Sequence, residues 1–192
     1  MKAEIYQMKI KYQGAEELVW RTIEISSNSY ISKLAYTVLA SFDTLANHLF
    51  FIKFGDTKYE INSNDEDRNV IDPCNIRLSE LNLRINDDMF MLYDYGCDHI
   101  FIITLKSVRP MEKGTSIRYP RIIDGAGKGI LEDVFIDDFV KIAKENKETK
   151  KATHRYITNR GEAIWDYYDF TVPKTNNSLK DRILTIQMGY EG

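Results

Sequence analysis

The chain has 192 residues, a length that suits one domain of ordinary size whose core needs no disulfide or metal to stabilise it. A hydrophobic fraction of 43% and a charged fraction of 29% exclude an intrinsically disordered protein, whereas a net charge of −3 excludes no class of partner. No window approaches the run of about 20 apolar residues that a membrane-spanning helix requires, so the sequence predicts no membrane partner.

The first half of the chain predicts strands that flank one amphipathic helix. Residues 4–12 alternate between apolar and polar side chains, which is the period of a half-buried strand, and residues 18–25 form a second strand after a turn. Apolar residues between Ile31 and Phe42 recur at helical spacing and predict a helix. The segments that follow are a strand pair at 49–61, a polar loop at 62–75, a helical turn at 78–81 and a strand pair at 89–108.

The second half of the chain is less regular. A glycine-rich segment at 124–129 predicts a flexible turn, since it lacks the spacing and the Ser or Thr of a phosphate-binding loop. We predict a helix at 131–145, a linker at 173–178 and a last strand at 182–188. The C-terminal part also contains an aromatic cluster, which comprises Trp165, Tyr167, Tyr168 and Phe170.

This order of elements predicts an α+β fold, in which a β-grasp-like mixed sheet of two or three hairpins packs on one main helix. We expect that domain to cover residues 1–135, and a C-terminal helical and aromatic extension to cover residues 136–192. Cys74 and Cys97 form no CxxC pair, and charged residues occupy the N-terminus where a signal peptide would be apolar. We therefore expect a cytoplasmic protein.

Short motifs along the chain resemble those of a known family. The most specific are Trp20-Arg21 and the turn Tyr93-Asp94-Tyr95-Gly96, and the others include Tyr6-Gln7-Met8-Lys9, His48-Leu49-Phe50-Phe51-Ile52, Leu78-Ser79-Glu80-Leu81 and Tyr119-Pro120-Arg121. In this order the motifs are similar to those of the plasmid pRiA4b ORF-3-like family, over residues 3–135. Members of that family also occur as passengers of bacterial insertion elements. The resemblance therefore implies an origin on a mobile element, and it implies no established activity.

The chain also departs from the pattern that is typical of that family. Phe50 replaces a second histidine, and Cys97 stands where an acidic residue is usual. Residues 129–134 lack a segment rich in proline, cysteine and glycine, of which only Glu132-Asp133 is retained. We therefore expect this chain to lack any metal or nucleophile site that the family builds on those histidines and cysteines.

Cys97, Asp98 and His99 are consecutive and suggest a catalytic cluster. We expect their side chains to diverge at a strand turn, and acidic neighbours raise the pKa of a thiol, so no catalytic cysteine is predicted. The histidines lie far apart in sequence, and folding would have to join them to carboxylates, as for His48 with Asp94 and Asp98. The sequence therefore assigns no catalytic, metal-binding or cofactor-binding residue and predicts no cofactor.

A candidate functional surface remains, and it comprises His48, Asp94, Asp98, His99 and Arg21. Trp20 is expected to fill the core, as a tryptophan on a central hairpin usually does. Arg21 is expected to point to the opposite face, where it could pair with the acidic turn around Asp94 and tie the two hairpins together.

Basic residues are concentrated in the segment 141–160 and could contact phosphates. The candidate contacts are Lys144, Lys147, Lys150, Lys151 and Arg155. Tyr156 and Trp165 follow closely and could stack on unpaired bases. Acidic residues at helical spacing can instead pair with the lysines, so the sequence favours a solvated charged surface.

Three functions are compatible with these observations. The leading hypothesis is a non-enzymatic interaction module that binds a protein partner or a second copy of itself, through a sheet edge or the aromatic cluster. The second is weak binding of nucleic acid through the segment 141–160. The third is a degenerate hydrolase-like or metal site near His48, Asp94 and Asp98.

Overall fold

The structure of the protein is a computed structural model that describes residues 3–61, 69–112, 114, 116–158 and 161–192. The strands found there are β1 (Glu4–Tyr12), β2 (Trp20–Ser26), β3 (Phe50–Phe54), β4 (Thr57–Glu60), β5 (Val70–Ile71), β6 (Asp88–Tyr93), β7 (His99–Pro110), β8 (Arg121–Ala126), β9 (Arg155–Thr158) and β10 (Gly161–Ile164). The helices are α1 (Ile31–Ser41), a 3-10 helix (Leu78–Leu81), α2 (Ile136–Thr149) and α3 (Val172–Glu191).

Strands β1 to β8 form one sheet in the order β5–β4–β3–β6–β7–β1–β2–β8. Neighbouring strands are antiparallel, apart from β4 and β5, which run parallel. Alternate residues of β1 and β7 are buried along most of their length, as expected for strands with one face on the core. Strands β9 and β10 form a separate two-stranded antiparallel sheet.

Helix α1 packs on the sheet with almost its whole surface covered, and only Lys33 among its residues is not buried. The ring of Tyr36 meets that of Phe50 of β3 edge to face, with centroids 6.1 Å apart. Phe42, directly after the helix, packs on Phe101 of β7 with centroids 4.7 Å apart. The apolar stripe that predicts this helix is therefore its contact surface with the sheet.

Helix α3 packs on α1 and alongside the edge strand β8. Its buried residues recur at helical spacing: Leu179, Ile183 and Ile186. The side chain of Thr171 accepts a hydrogen bond from the N–H of Lys174 at 3.3 Å, and Pro173 occupies the first turn. Both features favour the start of a helix, because one bonds a free amide and the other lacks an amide that would need a partner.

The α+β class and the three predicted strand pairs are confirmed, but the β-grasp-like arrangement is not. The predicted linker at 173–178 and strand at 182–188 are wrong, because both segments lie in α3. A short apolar run such as Ile183–Ile186, considered alone, fits both the two-residue period of a strand and the 3.6-residue period of a helix. Helix α2 begins at Ile136 rather than Leu131, and the first residues of the predicted glycine turn lie in β8.

Two predictions from the sequence, the loop at 62–75 and the domain boundary at residue 135, are not fully tested by the structure. Residues 62–68 of the predicted loop are outside the described residues, and Val70–Ile71 of the same loop form β5. The division at residue 135 stays a prediction. Side chains from beyond it, such as Phe139, Trp165 and Ile183, belong to the same buried cluster as those of β1 and α1.

Candidate metal centre

Three segments that are distant in sequence meet at one end of strands β3, β6 and β7. His48 lies just before β3, and the turn 94–98 joins β6 to β7 at the same end, because these strands are antiparallel. The N–H of Asp94 donates to the carbonyl of Leu49 at 3.0 Å and links the turn to the segment that carries His48. Asp133, between β8 and α2, lies beside His48.

The turn between β6 and β7 curls back on itself. Asp94 and Asp98 have left-handed backbone conformations, with φ of 61° and 52°, which aspartate adopts more readily than most residues. The N–H of Asp98 donates to the carbonyl of Asp94 at 2.8 Å, and the N–H of Gly96 donates to Asp94 Oδ1 at 2.9 Å. Cys97 and His99 therefore both return towards Asp94, so the prediction that Cys97, Asp98 and His99 diverge is wrong for these two, whereas Asp98 points away.

Potential metal ligands form two overlapping groups that share Asp94. One ligand atom each of Asp94, Cys97 and His99 lies within 4.8 Å of the others, and so do those of His48, Asp94 and Asp133. His48 Nδ1 is 3.5 Å from Asp94 Oδ1, and His48 Nε2 is 3.9 Å from Asp133 Oδ1. Ligand atoms bonded to one tetrahedral zinc ion are about 3.3–3.8 Å apart, so the separation of His48 Nδ1 and Asp94 Oδ1 matches that of a metal-bound pair, whereas the distance to Asp133 is measured from the other nitrogen of the ring.

His99 is fully buried and uses only one of its ring nitrogens within the described residues. Nδ1 lies 2.7 Å from the hydroxyl of Tyr12, whereas Nε2 has no hydrogen-bond partner there. The ring stacks on that of Tyr93, with centroids 6.2 Å apart. Burial lowers the pKa of His99 to about 4 despite the opposing effect of Asp94, so the imidazole is neutral at neutral pH.

Cys97 is a free thiol on the outer side of this cluster. Burial raises its pKa, and the nearby carboxylates of Asp94 and Asp133 raise it further. A nucleophilic cysteine needs the opposite environment, with a lowered thiol pKa. A bound cation would instead lower the pKa of the Cys97 thiol, because a coordinated thiol loses its proton.

Glu132 contacts the Nε2 side of the His48 ring. Its Oε2 lies 3.5 Å from His48 Nε2, its Oε1 accepts the N–H of Leu45 at 2.7 Å, and the hydroxyl of Tyr93 lies 3.0 Å from both oxygens. Burial raises the pKa of Glu132, although these hydrogen bonds oppose it. The carboxylate thus orients the imidazole of His48 from outside the two ligand groups.

The structure joins some of the predicted surface residues and separates others. His48, Asp94 and His99 come together, whereas Asp98 is exposed and belongs to neither ligand group. Sequence reasoning did not place Asp133 in the cluster and rejected Cys97 as a functional residue. The retained Glu132-Asp133 pair was the signal that could have identified this segment, since it survives where the rest of the family's segment is lost.

Arg21 lies in the core, and its predicted pairing with Asp94 is wrong. Its side chain is fully buried, and its five N–H groups donate at 2.6–2.9 Å to the backbone carbonyls of Trp20, Ser41, Ala126, Gly127 and Lys128. Burial lowers the pKa of Arg21 to about 9, so the side chain stays protonated at neutral pH.

Trp20 is half-buried instead of filling the core, with the Nζ of Lys9 at 3.5 Å from the centre of one of its rings. The two side chains do point to opposite faces, but the arginine is the one that faces inwards. The cation is tolerated there because the carbonyl groups of several segments surround it.

The predicted nucleic-acid contacts lie on α2, in the segment directly after it and on β9. Lys144, Lys147, Lys150, Lys151 and Arg155 are exposed, and Asn159 and Arg160 lie outside the described residues. Arg155 pairs with Glu162 at 2.8 Å. Trp165 is fully buried, so it offers no face to a base, and Tyr156 is half-buried beside Lys128.

The surfaces expected to bind a protein partner are partly covered. In the aromatic cluster, Trp165 and Tyr167 are buried, whereas Tyr168 is 51% exposed. At the edge strand β8, the side chain of Asn176 accepts the N–H of Ile122 at 2.9 Å and donates to its carbonyl at 2.7 Å. Asn176 thus occupies hydrogen-bonding positions that an incoming strand would use.

A model of the plasmid pRiA4b ORF-3-like protein family matches residues 4–174, which extends past the predicted end of the resemblance at residue 135. The crystal structure of a protein of unknown function, MM3350 from Methanosarcina mazei Go1, is similar with a TM-score of 0.67 and 16% sequence identity. The similarity covers 97% of this chain and 90% of the other, and at this identity it concerns the fold alone. A search of curated proteins found no match. Among the described residues, no helix is both long and apolar enough to cross a membrane.

Proposed function

The chain belongs to the plasmid pRiA4b ORF-3-like family, and we propose that this member binds a divalent transition-metal ion, best matched by zinc, at the cluster around Asp94. The observation that carries the proposal is the Nε2 atom of His99. This atom is buried without a hydrogen-bond partner among the described residues, and its residue, His99, belongs to a group with a thiol and a carboxylate. A buried polar atom without a partner destabilises the fold unless something from outside the chain bonds to it.

The types of ligand indicate which ion fits. Cys97 and His99 offer sulfur and nitrogen, and Asp94 and His48 offer oxygen and a second imidazole. Thiolate and imidazole ligands favour zinc, whereas magnesium and calcium favour sites built from oxygen alone. Asp133 is exposed and would be a further carboxylate at the solvent side of the ion.

Two contacts outside the ligand groups orient the histidine rings. Tyr12 bonds Nδ1 of His99 and leaves Nε2 for the ion, and Glu132 lies against Nε2 of His48 and leaves Nδ1 beside Asp94. Metal-binding histidines usually have such a partner on the second ring nitrogen, because it fixes the ring and its tautomer.

We expect chelator-treated protein to bind zinc at one site per chain, with a Kd at or below about 1 µM in a chelator-competition titration. Cobalt, used as a spectroscopic probe, should produce a thiolate-to-cobalt charge-transfer absorption, because Cys97 supplies a sulfur ligand. Cys97→Ser should abolish that absorption, and Asp94→Asn should weaken zinc binding by at least about tenfold.

The chain offers matched controls for both types of ligand. Cys74 is the other free thiol, and Cys74→Ser should leave the cobalt absorption and the zinc affinity unchanged. His154 belongs to neither ligand group, so His154→Gln should bind zinc as the unmodified protein does. The proposal is refuted if the protein binds no zinc at micromolar concentration, or if Cys97→Ser and Cys74→Ser have equal effects.

The interaction-module and nucleic-acid hypotheses, and the cytoplasmic location, stay predictions. Exposed lysines along α2 support contact with phosphates, and the burial of Trp165 weighs against stacking on bases. The hydrogen bonds between the Asn176 side chain and the backbone of β8 weigh against the addition of a partner's strand at that edge. We propose metal binding ahead of both because it rests on converging side chains.

A further inference from the structure

A cavity of about 790 Å³ lies beside the metal centre and is not part of it. The segment after α1, the residues ahead of α2, strand β9 and one face of α3 surround it, and Glu132 lines it on the side of His48. Its size is within the range of about 300–1,000 Å³ that is usual for sites of small molecules. Its walls come from elements distant in sequence, so it is a product of the tertiary fold.

One part of the cavity wall is apolar. Leu45, Ile130, Ile157 and Ile186 line it. Ile157 is 69% exposed, a high value for an isoleucine in a strand. The hydrocarbon part of a ligand would cover this side chain and gain about 25 cal/mol for each Å² of apolar surface removed from water.

The charges of the wall are mainly negative. Three carboxylates, those of Asp43, Glu132 and Asp181, face one guanidinium, that of Arg182. Arg182 Nη1 already donates to Asp43 Oδ1 at 2.6 Å and Nη2 donates to the carbonyl of Thr44 at 2.9 Å, whereas its Nε is buried and bonds to no partner among the described residues. Arg182 is the one cation among the described lining residues and already pairs with Asp43, so an anionic ligand would meet the two further carboxylates of Glu132 and Asp181.

Of the two remaining carboxylates, Glu132 lies 3.5 Å from His48 Nε2, which is a cation only when it is protonated, and Asp181 pairs with no cation among the described residues. The oxygens of Glu132 accept hydrogen bonds from the amide of Leu45 and the hydroxyl of Tyr93, which are neutral donors, and its neighbour His48 is shared with Asp94. Asp181 is exposed on α3, and its carboxylate forms no ion pair or hydrogen bond in the described part of the chain.

We propose that this cavity binds a small organic cation, namely a primary or secondary amine that carries a hydrocarbon chain. The ammonium group pairs with Asp181 or Glu132, and the hydrocarbon lies on the apolar wall. This site needs none of the proposed metal ligands around Asp94, and it shares with that centre only Glu132, which contacts His48. The lining side chains carry more negative than positive charge, which favours a cation over an anion.

Three probes with the same six-carbon chain test the sign of the charge: n-hexylamine, n-hexanol and n-hexanoate. Each is titrated into metal-free protein with labelled isoleucine and leucine methyl groups, and NMR shifts report binding at Leu45, Ile130, Ile157 and Ile186. We expect hexylamine to bind with a Kd on the order of 1 mM or tighter and hexanol about tenfold more weakly. Hexanoate should produce no shifts at these methyl groups.

Asp181→Asn tests the carboxylate, and Asp137→Asn is the matched control, because Asp137 is an exposed carboxylate of α2 outside the cavity. Asp181→Asn should weaken hexylamine binding several-fold and leave hexanol binding unchanged. The inference is overturned if hexanoate binds as well as hexylamine, if no probe shifts these methyl groups, or if both variants bind hexylamine equally. A failure of zinc binding would not alter any of these outcomes, so the two proposals are tested separately.

Discussion

Arg21 shows at the scale of one residue how a buried charge can organise a fold. Its hydrogen bonds join β2 to the end of α1 through Ser41, and to the segment that follows β8 through Gly127. The ring of Phe170 covers the guanidinium, whose carbon lies 3.7 Å from the ring centre. A Cβ at Gly125 would lie 2.9 Å from the Phe170 ring, so glycine is needed there for this close approach.

Replacing Arg21 should therefore destabilise the whole protein. Arg21→Met keeps an unbranched apolar side chain but removes every donor to the five carbonyls, and we expect a loss of about 3–5 kcal/mol in the free energy of unfolding. Urea denaturation measures this quantity. Arg21→Lys keeps the charge but has fewer donors, so its loss should be smaller.

Arg84 is an exposed arginine and provides the control. Arg84→Met should change the free energy of unfolding by no more than about 0.5 kcal/mol. A loss of about 1 kcal/mol or less for Arg21→Met would show that Arg21 does not hold these segments together.

At the scale of elements, helix α3 protects the edge of the sheet. Asn176, in its first turns, bonds both the N–H and the carbonyl of Ile122, which are the groups that a further strand would pair with. The opposite edge of the sheet is β5, a strand of two residues, which offers few groups for pairing. The fold thus limits strand addition at both edges by different means.

We expect Asn176→Ala to destabilise the protein by about 1–2 kcal/mol, because the two hydrogen bonds to Ile122 are lost while the helix propensity improves. The amide of Ile122 should also exchange its hydrogen faster, as measured by NMR. Asn177→Ala is the control, since Asn177 is the exposed neighbour with the same change in propensity. Equal exchange of the Ile122 amide in both variants would argue against a protective role for Asn176.

At the scale of the whole molecule, opposite charges nearly balance, with 26 Lys and Arg against 29 Asp and Glu. Overall repulsion is therefore small at neutral pH, and the response to acid depends on individual carboxylates. Glu24 on β2 is the clearest of these, because it pairs with Arg109 of β7 at 3.0 Å and with Arg121 of β8 at 2.7 Å. Its contacts link three strands of the sheet.

Burial by itself would raise the pKa of Glu24, but the hydrogen bonds from Arg121 and Arg109 outweigh it and leave the pKa below its usual value. A carboxyl group whose pKa is lower in the folded than in the unfolded chain stabilises the fold above the unfolded pKa, about 4.3 for glutamate. That stabilisation is lost as the pH falls through the folded pKa. The ion pairs of Glu24 thus contribute at neutral pH and disappear in acid.

Glu24→Gln should accordingly lower the free energy of unfolding by about 1–3 kcal/mol at neutral pH, and the difference from the unmodified protein should shrink in strong acid. Urea denaturation at several pH values measures the difference. The exposed Glu17 supplies the control, and Glu17→Gln should show no such dependence on pH. A difference for Glu24→Gln that is constant from neutral pH to strong acid would contradict this account.

The parts of the fold that sequence reasoning predicted correctly are those with a strong local period. The strand pairs and α1 follow from alternation and from a long helical stripe, which neighbours in sequence are sufficient to create. Helix α3 was missed because the strand-like run at its centre outweighed the capping signals at Thr171 and Pro173. The burial of Arg21 and the partial exposure of Trp20 were missed, because hydrophobicity alone predicts a buried tryptophan and an exposed arginine.

The sequence by itself determined the α+β class, the principal hairpins, the main helix and the family, because each depends on local periodicity or on short motifs in order. Only the tertiary structure decided which side chains meet. His48, Asp94 and Asp133 come from three segments, and the left-handed turn brings Cys97 and His99 back to Asp94. The physical reason is that a site depends on distances of a few ångströms between residues far apart in the chain, and the packing of the whole sheet sets those distances.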